Sequence, residues 1–338
     1  MQLMSENWNA DITELVRSVV GKVELYDGST LAATFLHTGE LSSIKIERTP
    51  VNGAFFGYSI CQKATVVLLD ADNTITINKD DVLKLYLGTP TEFAKAPNFI
   101  VSDVQRDEIK KTLTITAYDL IESASARTQN ELQIEYPITP RGMADIIASA
   151  LGTSAVWGIS TGNTLADIEY TESLQSSLSG TETLRDMLGF IAQATGTVCF
   201  VSSNNNLCFK QLTNTPVFEI DKSVYFEMNV GKAINLTQVT SATDLGDNLT
   251  AGEEGGKNQV FYSNPFIISH ESAANILDQL LALYSQIVMY PYSIKWRGNP
   301  ALEFGDCVKM CSTWVKLLPM TVEWVLLATG KTKTLLRA

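Results

Sequence analysis

Alternation of apolar and polar residues with a period of two dominates the first third of the chain, from about residue 23 to residue 124. It is clearest in residues 43–47 (SIKIE), 74–77 (TITI) and 113–117 (LTITA). Successive side chains of a β-strand point to opposite faces of a sheet, so the pattern predicts strands with one buried and one solvated face. Turn sequences such as Asp27-Gly28 separate the runs, and short strands at this spacing predict a small barrel or sandwich.

The middle third changes to a helical period. Thr139 suits an N-cap and Pro140 suits the first helical position, while Gly152 supplies a C-terminal stop. The stripe predicted to be buried has the spacing i, i+3, i+4 and i+7 and consists of Met143, Ile146, Ile147 and Ala150. These signals together predict a helix.

A second helix and a hairpin follow. Ser179 and Glu182 have the spacing of a capping box, and Gly196 is the expected end of the helix. The predicted buried stripe is Leu184, Met187, Leu188 and Ile191. Residues 197–201 and 207–211 then flank an asparagine-rich loop, which predicts two antiparallel strands. The middle third is therefore predicted to be an α+β unit.

The last third returns to strands after about Pro216. Its loop at residues 244–257 combines glycines with acids and is the predicted mobile segment. A long helix is predicted for residues 271–288, with a buried face of Leu277, Leu280, Leu281, Tyr284 and Ile287. Turn residues at 297–300 precede strands near Val308, 322–327 and 332–336. Strand-rich segments thus lie on both sides of the helical middle. This is the pattern expected if one β domain had been duplicated within the chain and the copies had diverged.

Composition limits the classes of function. A chain of 338 residues suits two or three domains, and 45% hydrophobic against 18% charged residues leaves apolar surface for subunit contacts. The formal charge of −12 argues against nucleic-acid binding, which needs clustered Lys and Arg. A conduit wall along which DNA slides would benefit from such repulsion, although solubility explains the charge as well.

The residue types that carry catalysis are sparse. The only histidines are His37 and His270, which is too few for a His-based zinc site of the H-E-x-x-H kind. A Ser-His-Asp or Cys-His arrangement stays open because its members meet in space, but no G-x-S-x-G sequence occurs. Carboxylates for glycoside cleavage would come from the glycine-rich loop, namely Asp244, Asp247, Glu253 and Glu254. A catalytic acid needs burial on a rigid element, which an exposed glycine-rich loop does not provide. We therefore expect no catalytic, cofactor-binding or metal-binding residues.

The cysteines and the apolar runs point to an ordinary folded chain made in a cytoplasm. The five cysteines include no C-x-x-C pair, and Cys307 with Cys311 is the one spacing that could begin a metal site. No apolar run reaches the ~18–20 residues that span a bilayer. Glu6 stands where a signal peptide would carry Lys or Arg.

Several segments of the second half resemble the hub proteins at the tips and baseplates of phage tails and their relatives in type VI secretion spikes. Residues 183–196 (TLRDMLGFIAQATG) with the hairpin ending in LCFK are similar to the helix and hairpin of the second hub domain. Residues 263–267 (SNPFI) before the long helix, and 298–306 (GNPALEFGD) after it, resemble the third and fourth hub domains. Asn264 with Pro265, Gly298–Pro300, and Gly305 with Asp306 are the expected turns.

The resemblance implies a β-dominated α+β fold. It implies a tube-like β barrel or sandwich at residues 1–124, an α+β domain at 125–215, and a second tube-like domain at 216–338 with a peripheral helix at 271–288. It also implies a homotrimer whose ring joins the tail tube to a central spike or fibre and gates the DNA channel. The implied partners are the tail tube, distal tail and tape measure proteins, with DNA passing unbound and with no membrane segment.

Two alternatives remain: a tail-associated peptidoglycan hydrolase and a receptor module for host sugars. Exposed aromatics in a shallow groove would favour the sugar module, and the candidates are Trp296, Trp314, Tyr290 and Tyr292. The family's longer members carry a C-terminal hydrolase, and the hub pattern here runs to the last residues of the sequence.

The hub interpretation predicts that the purified chain has no cell-wall hydrolase activity. In a zymogram on peptidoglycan, the chain should leave no cleared band beside a lysozyme control, because no pair of positioned carboxylates is expected. A cleared band that migrates with the chain would favour the hydrolase.

Overall fold

The computed structural model of the protein describes residues 1–13, 19–48, 54–220, 225–242, 248–289, 292–296, 298–310, 313–316 and 321–325. Within them the chain is an α+β protein in which strands predominate over helices. The β-dominated α+β class predicted from the sequence is confirmed.

The first third folds mainly into one large sheet. A short helix, α1 (Trp8–Thr13), precedes it. Its strands are β1 (Val20–Asp27), β2 (Thr30–Leu36), β3 (Leu41–Arg48), β5 (Gln62–Leu69), β6 (Val82–Gly88), β7 (Phe93–Asp107) and β8 (Thr112–Tyr118), while β4 (Tyr58–Ile60) belongs to another sheet. With the last described strand, β21 (Thr321–Val325), the order is β2-β1-β6-β7-β8-β5-β3-β21.

Strand β7 bends this sheet. Its first half pairs with β6 and its second half pairs with β8, and the register shifts between Val101 and Asp103. A strand that changes partners at an irregularity turns a corner of a sandwich. Apolar residues of β1, β3, β5, β6 and β8 accordingly meet in one core. Among the described residues the end strands β2 and β21 do not pair with each other, so the sheet is not closed into a barrel.

The strand predicted at residues 74–77 does not form. The N–H groups of Thr74 and Ile75 donate to Asp70 Oδ1, at 2.9 and 3.3 Å, and the Ile75 carbonyl accepts from Arg106 Nη2 at 2.8 Å. Side chains thus satisfy the backbone groups that a neighbouring strand would otherwise bind. The alternation remains only as a buried Ile77 beside exposed neighbours.

The middle third contains the predicted helices and hairpin. Its elements are α2 (Leu120–Ser125), α3 (Pro140–Ala150), β9 (Ala155–Gly158), α4 (Ser173–Ser176), α5 (Leu184–Thr195), β10 (Val198–Val201) and β11 (Leu207–Lys210), with 3₁₀ turns at Gln129–Glu131 and Leu165–Asp167. Thr139 caps α3 through its Oγ1, which accepts from Gly142 N at 3.0 Å. Gly152 and Gly196 follow their helices with φ angles of 73° and 65°. The sheet order is β4-β10-β11-β9.

The capping box predicted at Ser179 and Glu182 is not the one that starts α5. Thr183 is the N-cap and Asp186 its partner, with Asp186 N donating to Thr183 Oγ1 at 3.1 Å and Thr183 N donating to Asp186 Oδ2 at 3.0 Å. Gly180 has a φ of 83°, which a helix does not accommodate. The Glu182 carboxylate instead accepts from the N–H groups of Ser179 and Gly180 within the preceding turn.

The last third contributes three small sheets and two helices. Its elements are β12 (Pro216–Ile220), β13 (Tyr225–Val230), β14 (Ile234–Ala242), β15 (Leu249–Gly252), β16 (Lys257–Tyr262), α6 (Pro265–Ile268), α7 (Ala273–Ser285), β17 (Val288–Met289), β18 (Tyr292–Trp296), β19 (Cys307–Met310) and β20 (Thr313–Lys316). The pairings are β12-β19-β20, β13-β18 and β15-β14-β16, and β17 also pairs with β14. The strand predicted at 332–336 lies outside the described residues.

Helix α7 is shorter than the predicted 271–288. His270 Nδ1 accepts from Ser272 N at 3.0 Å in a turn before the helix, and Val288 already belongs to β17. The predicted apolar face is confirmed, because Leu277, Leu280, Tyr284 and Ile287 are buried and Leu281 packs against the same core.

Packing crosses the predicted domain boundaries. The core of the first sheet includes Phe218, Trp296 and Val308 from the last third. The other large core joins residues 54–60 and the middle third to β14, β15, β16, α6 and α7. Strand β21 also pairs with β3, and β4 pairs with β10. The division at residues 124 and 215 stays a prediction about which segments fold independently.

Phe56 is the residue at which we expect truncation to be most damaging. Its buried ring stacks on Tyr284 at a centroid distance of 4.3 Å and tilts against Phe261 at 5.5 Å. Phe56→Ala should lower the free energy of unfolding by about 3–5 kcal/mol, because it leaves a cavity. Urea denaturation measures this, with Phe93→Ala at the 36% exposed Phe93 as the matched control. Equal effects of the two variants would contradict the proposed packing.

Candidate functional site

A buried polar junction links the three thirds of the chain. Arg48, at the end of β3, is 9% exposed, and its Nε donates to Gln62 Oε1 at 2.7 Å. Gln62 Nε2 in turn donates to the Val201 carbonyl of the hairpin at 2.7 Å. Arg48 Nη1 lies 3.4 Å from the Leu302 carbonyl oxygen, in the loop before β19. One guanidinium and one amide therefore connect the first sheet, the hairpin and the last third.

Asp119 is the buried acid of this junction. Its carboxylate accepts from Gln62 N and Ile121 N, both at 3.1 Å, so it caps α2 and fixes the start of β5. Burial raises the pKa of Asp119 to about 7, although the hydrogen bonds from Gln62 and Ile121 oppose that rise. Burial also lowers the pKa of Arg48, against the attraction of Glu303, Asp306 and Asp119.

Asp306 is the second buried acid, and it is paired. Its Oδ1 lies 2.6 Å from Lys210 Nζ and its Oδ2 lies 2.8 Å from the Met1 amino group. Burial alone would raise the pKa of Asp306, but these two cations hold it below its ordinary value. The neighbouring Glu303 accepts from Ser203 Oγ at 2.9 Å, which ties the same loop to the hairpin.

The N-terminal segment closes the junction from outside. Gln2 N donates to the Ala301 carbonyl at 2.8 Å, and the Gln2 side chain exchanges two hydrogen bonds with the Lys95 backbone. The buried Trp8 donates from Nε1 to Asn299 Oδ1 at 2.9 Å. Residues before the first strand therefore hold β7 against the loop at 298–306.

The turns predicted from the hub resemblance have structural roles. Asn264 caps α6 by accepting from Phe266 N at 2.9 Å, and its Nδ2 donates to the Phe190 carbonyl and to Gln193 Oε1. Gly298 and Gly305 have φ angles of 76° and 73°, which non-glycine residues rarely adopt. Asn299 accepts a hydrogen bond from Trp8, and Asp306 pairs with Lys210 and the Met1 amino group, so both belong to the polar junction. The prediction that none of these turn residues is catalytic stays a prediction.

The catalytic candidates that the structure describes lie in turns or on the surface. His270 accepts from Ser272 N and contacts the ring of Tyr170 edge-on, as a turn residue does. His37 lies in the turn after β2, and Glu253 and Glu254 are exposed. Asp244, Asp247 and Cys311 lie outside the described residues. Within the described part of the chain, no group of three His, Cys, Asp or Glu residues could hold a metal ion.

Partial burial of Cys61 and full burial of Cys199 raise the pKa values of their thiols, so neither is an activated thiolate. No described helix is both long and apolar enough to cross a membrane.

Of the four aromatic residues considered for sugar binding, the structure describes the side chain of Trp296. Trp296 is 1% exposed and packs against Phe218 at a centroid distance of 5.8 Å. Tyr290 lies outside the described residues, as do the side chains of Tyr292 and Trp314. The candidate whose side chain is described is therefore a core residue and does not support a sugar-binding groove.

A cleft of about 610 Å³ lies between α5 and two strands. Strand β16 lines one side of the cleft. Residues 57–59, which are the first two residues of β4 and the glycine before them, line another side. The exposed face of α5 forms the floor through Arg185, Asp186, Gly189, Phe190 and Gln193. Phe55 N donates to Gln259 Oε1 at 2.7 Å, so residues 54–57 connect the two walls.

The sequence contained a signal for the junction that motif reasoning missed. In β3, Ile44, Ile46 and Arg48 share one parity, and that parity is buried. An arginine on the apolar face of an alternating strand predicts a buried partner, since an unpaired buried charge is costly. No comparable signal predicts the cleft, because its walls are far apart in sequence.

The fold is similar to those of three solved tail proteins. They are the 43 kDa tail protein of prophage MuSo2 from Shewanella oneidensis (TM-score 0.56, 11% identity, 94% of this chain and 98% of that chain), a tail protein from Neisseria meningitidis MC58 (0.57, 12%, 94% and 95%), and prophage tail protein gp18 from Listeria monocytogenes EGD-e (0.52, 12%, 94% and 94%). No family model and no curated protein matches the sequence. At such identities the similarity establishes a shared fold.

Asp119 should make stability depend on pH in a defined direction. Its pKa in the folded state is about 7, above the ordinary value of 3.8, so its stabilising contribution is complete below pH ~4 and is lost as the pH rises through about 7. Asp119→Asn should therefore flatten the fall in unfolding free energy between pH 4 and 7, as measured by urea denaturation across that range.

Asp306→Asn is the control, because the pKa of Asp306 is shifted in the direction opposite to that of Asp119. The pKa of Asp306 is lowered, so its contribution is present at neutral pH and is lost as the pH falls below the ordinary value of 3.8. Removing the Asp306 carboxylate should therefore leave the slope of the unfolding free energy against pH unchanged between pH 4 and 7. An unchanged slope in Asp119→Asn would contradict a buried Asp119 that resists ionisation.

Proposed function

We propose that the chain is a structural hub subunit at the tip or baseplate of a phage or phage-like tail. The observation that carries the proposal is the shared fold over 94% of the chain with three proteins named as tail proteins. The resemblance of residues 183–210 and 263–306 to hub segments narrows the role from tail protein to hub.

The proposed hub is a homotrimer in which each copy supplies two tube-like β regions to a closed ring. The polar junction supports this proposal, because a ring wall under load needs its two strand-rich regions in a fixed mutual position. The 45% hydrophobic content leaves apolar surface for the interfaces between copies.

In the proposed arrangement, the ring joins the tail tube, the distal tail protein and the tape measure protein above to a central spike or fibre below. It gates the DNA channel when the tail contacts a host. The net charge of −12 suits a lumen along which DNA slides without binding. Assembly takes place in the bacterial cytoplasm, and the mature location is the virion tail.

The cleft supports a structural role over a hydrolytic one. Asp186 is the one carboxylate among the described residues that line it, and that carboxylate is engaged by the N-cap Thr183. Glycoside cleavage uses two carboxyl groups about 5–10 Å apart on either side of the bond. The described cleft therefore lacks the pair that a peptidoglycan hydrolase of this kind would use, and we propose that the chain is not an enzyme.

The proposal predicts a trimer in solution. Light scattering coupled to gel filtration should give a mass of about 111 kDa for the chain alone, three times the 37.0 kDa chain, or a complex that contains three copies of the chain after the tail tube protein is added. Negative-stain images of that peak should show a ring with threefold symmetry and an axial hole. A chain that stays monomeric at high concentration with its tube protein present would contradict the hub.

A further inference from the structure

The cleft presents the edges of two strands. All six residues of β16, and the consecutive residues 57–59, line it. A strand face presents only every second residue, so consecutive lining residues mean that the edge faces the opening. β16 pairs with β14 on one side and β4 pairs with β10 on one side. In the described residues neither strand has a second partner.

Unpaired strand edges carry a row of free backbone N–H and C=O groups, which natural proteins usually cover or blunt. The edge of β16 is not blunted along its length, since it contains no proline and its only charged residue is Lys257 at one end. Its six residues extend for about 20 Å, enough to pair with an extended segment of similar length.

Gly189 is a second and independent indication of an occupant. It lies inside α5, where glycine lowers helix stability relative to alanine. A Cβ atom at Gly189 would meet no atom within 4 Å. Packing within the chain therefore does not require glycine there, although Gly189 lines the cleft floor. Because glycine has no side chain and the space beside Gly189 is open, the backbone of a partner can approach the helix closely there.

The charges at the cleft favour an acidic occupant. Lys257 stands at the start of β16 and has no ion pair among the described residues. Arg185 reaches Glu122 only at 3.9 Å, with its side chain 39% exposed. The single carboxylate of the lining, Asp186, is held by the Thr183 cap. The lining therefore carries two cations, Lys257 and Arg185, against one carboxylate, Asp186, which is a local excess of positive charge in a chain of net charge −12.

We propose that the cleft is a strand-addition site for an extended acidic segment of another tail component. The segment adds to the edge of β16, its backbone lies over Gly189, and its carboxylates face Lys257 and Arg185. Main-chain hydrogen bonds supply the affinity of such sites, and side-chain charge supplies the choice of partner. Naming the partner a tail component rests on the proposed function, whereas peptide binding to the cleft does not depend on the ring, so the two proposals can fail separately.

Fluorescence polarisation with labelled model peptides tests the proposal. The acidic strand peptide TEVEVT should bind the purified chain at least about tenfold more tightly than TKVKVT, as expected when charge selects the partner. A backbone N-methylated TEVEVT should lose binding, because its donors to the strand edge are removed.

Gly189→Leu should abolish TEVEVT binding by filling the cleft, while leaving the thermal unfolding midpoint unchanged or higher. The matched control is Gly162→Leu, at a position that also has no atom within 4 Å of an added Cβ and does not line the cleft. It should bind TEVEVT as the unmodified chain does. If Gly189→Leu does not fold, Lys257→Glu provides the test, and its preference for TEVEVT over TKVKVT should shrink or reverse.

Three results would overturn the proposal. The first is no binding of TEVEVT, or equal binding by the unmodified chain and Gly189→Leu. The second is self-association in sedimentation velocity that Gly189→Leu abolishes, since the occupant would then be a second copy. The third is binding of chitohexaose where TEVEVT fails, which would make the cleft a sugar site.

Discussion

The buried junction around Arg48 and Asp306 is the constraint on which the arrangement of the whole chain depends. Arg48 is nearly inaccessible, so leaving it unpaired would cost several kcal/mol of the free energy of folding. Arg48 binds Gln62 of the first sheet and the Leu302 carbonyl in the loop before β19, and Gln62 in turn binds the Val201 carbonyl of the hairpin. Satisfying Arg48 and Gln62 together therefore requires all three thirds of the chain to be in place. Hydrophobic packing also crosses between the thirds, and the junction adds directional contacts to it.

The two large cores follow from the same arrangement. Phe218, Trp296 and Val308 pack into the first sheet although they lie in the last third. Because β3 pairs with β21 and β4 pairs with β10, hydrogen bonds and apolar contacts cross the same boundaries. Contacts that cross the boundaries in this way couple the strand-rich regions to one another. That property suits a wall in a mechanical assembly, and it leaves the edges of β4 and β16 as places for further strands.

Local elements could be predicted from the sequence, and long-range arrangement could not. The cap at Thr139, the ends at Gly152 and Gly196, and the buried face of α7 depend on residues within one or two turns, and they were predicted. Residues 74–77 alternate as a strand does, but the distant Arg106 binds their backbone. The capping box predicted at Ser179 and Glu182 was wrong, because Gly180 has a φ of 83° and Thr183 is the N-cap of α5. The cleft needed β4, α5 and β16 brought together, which no local pattern encodes.

A cryo-EM map of tail particles that contain the chain tests the central claim most directly, because it shows where both strand-rich regions lie relative to the tail axis. The account predicts three copies in a closed ring, with the first sheet and the β12–β19 region alternating around the channel and α7 on the outside. Density for the chain away from the axis, or a ring wall built from only one of the two regions, would contradict it.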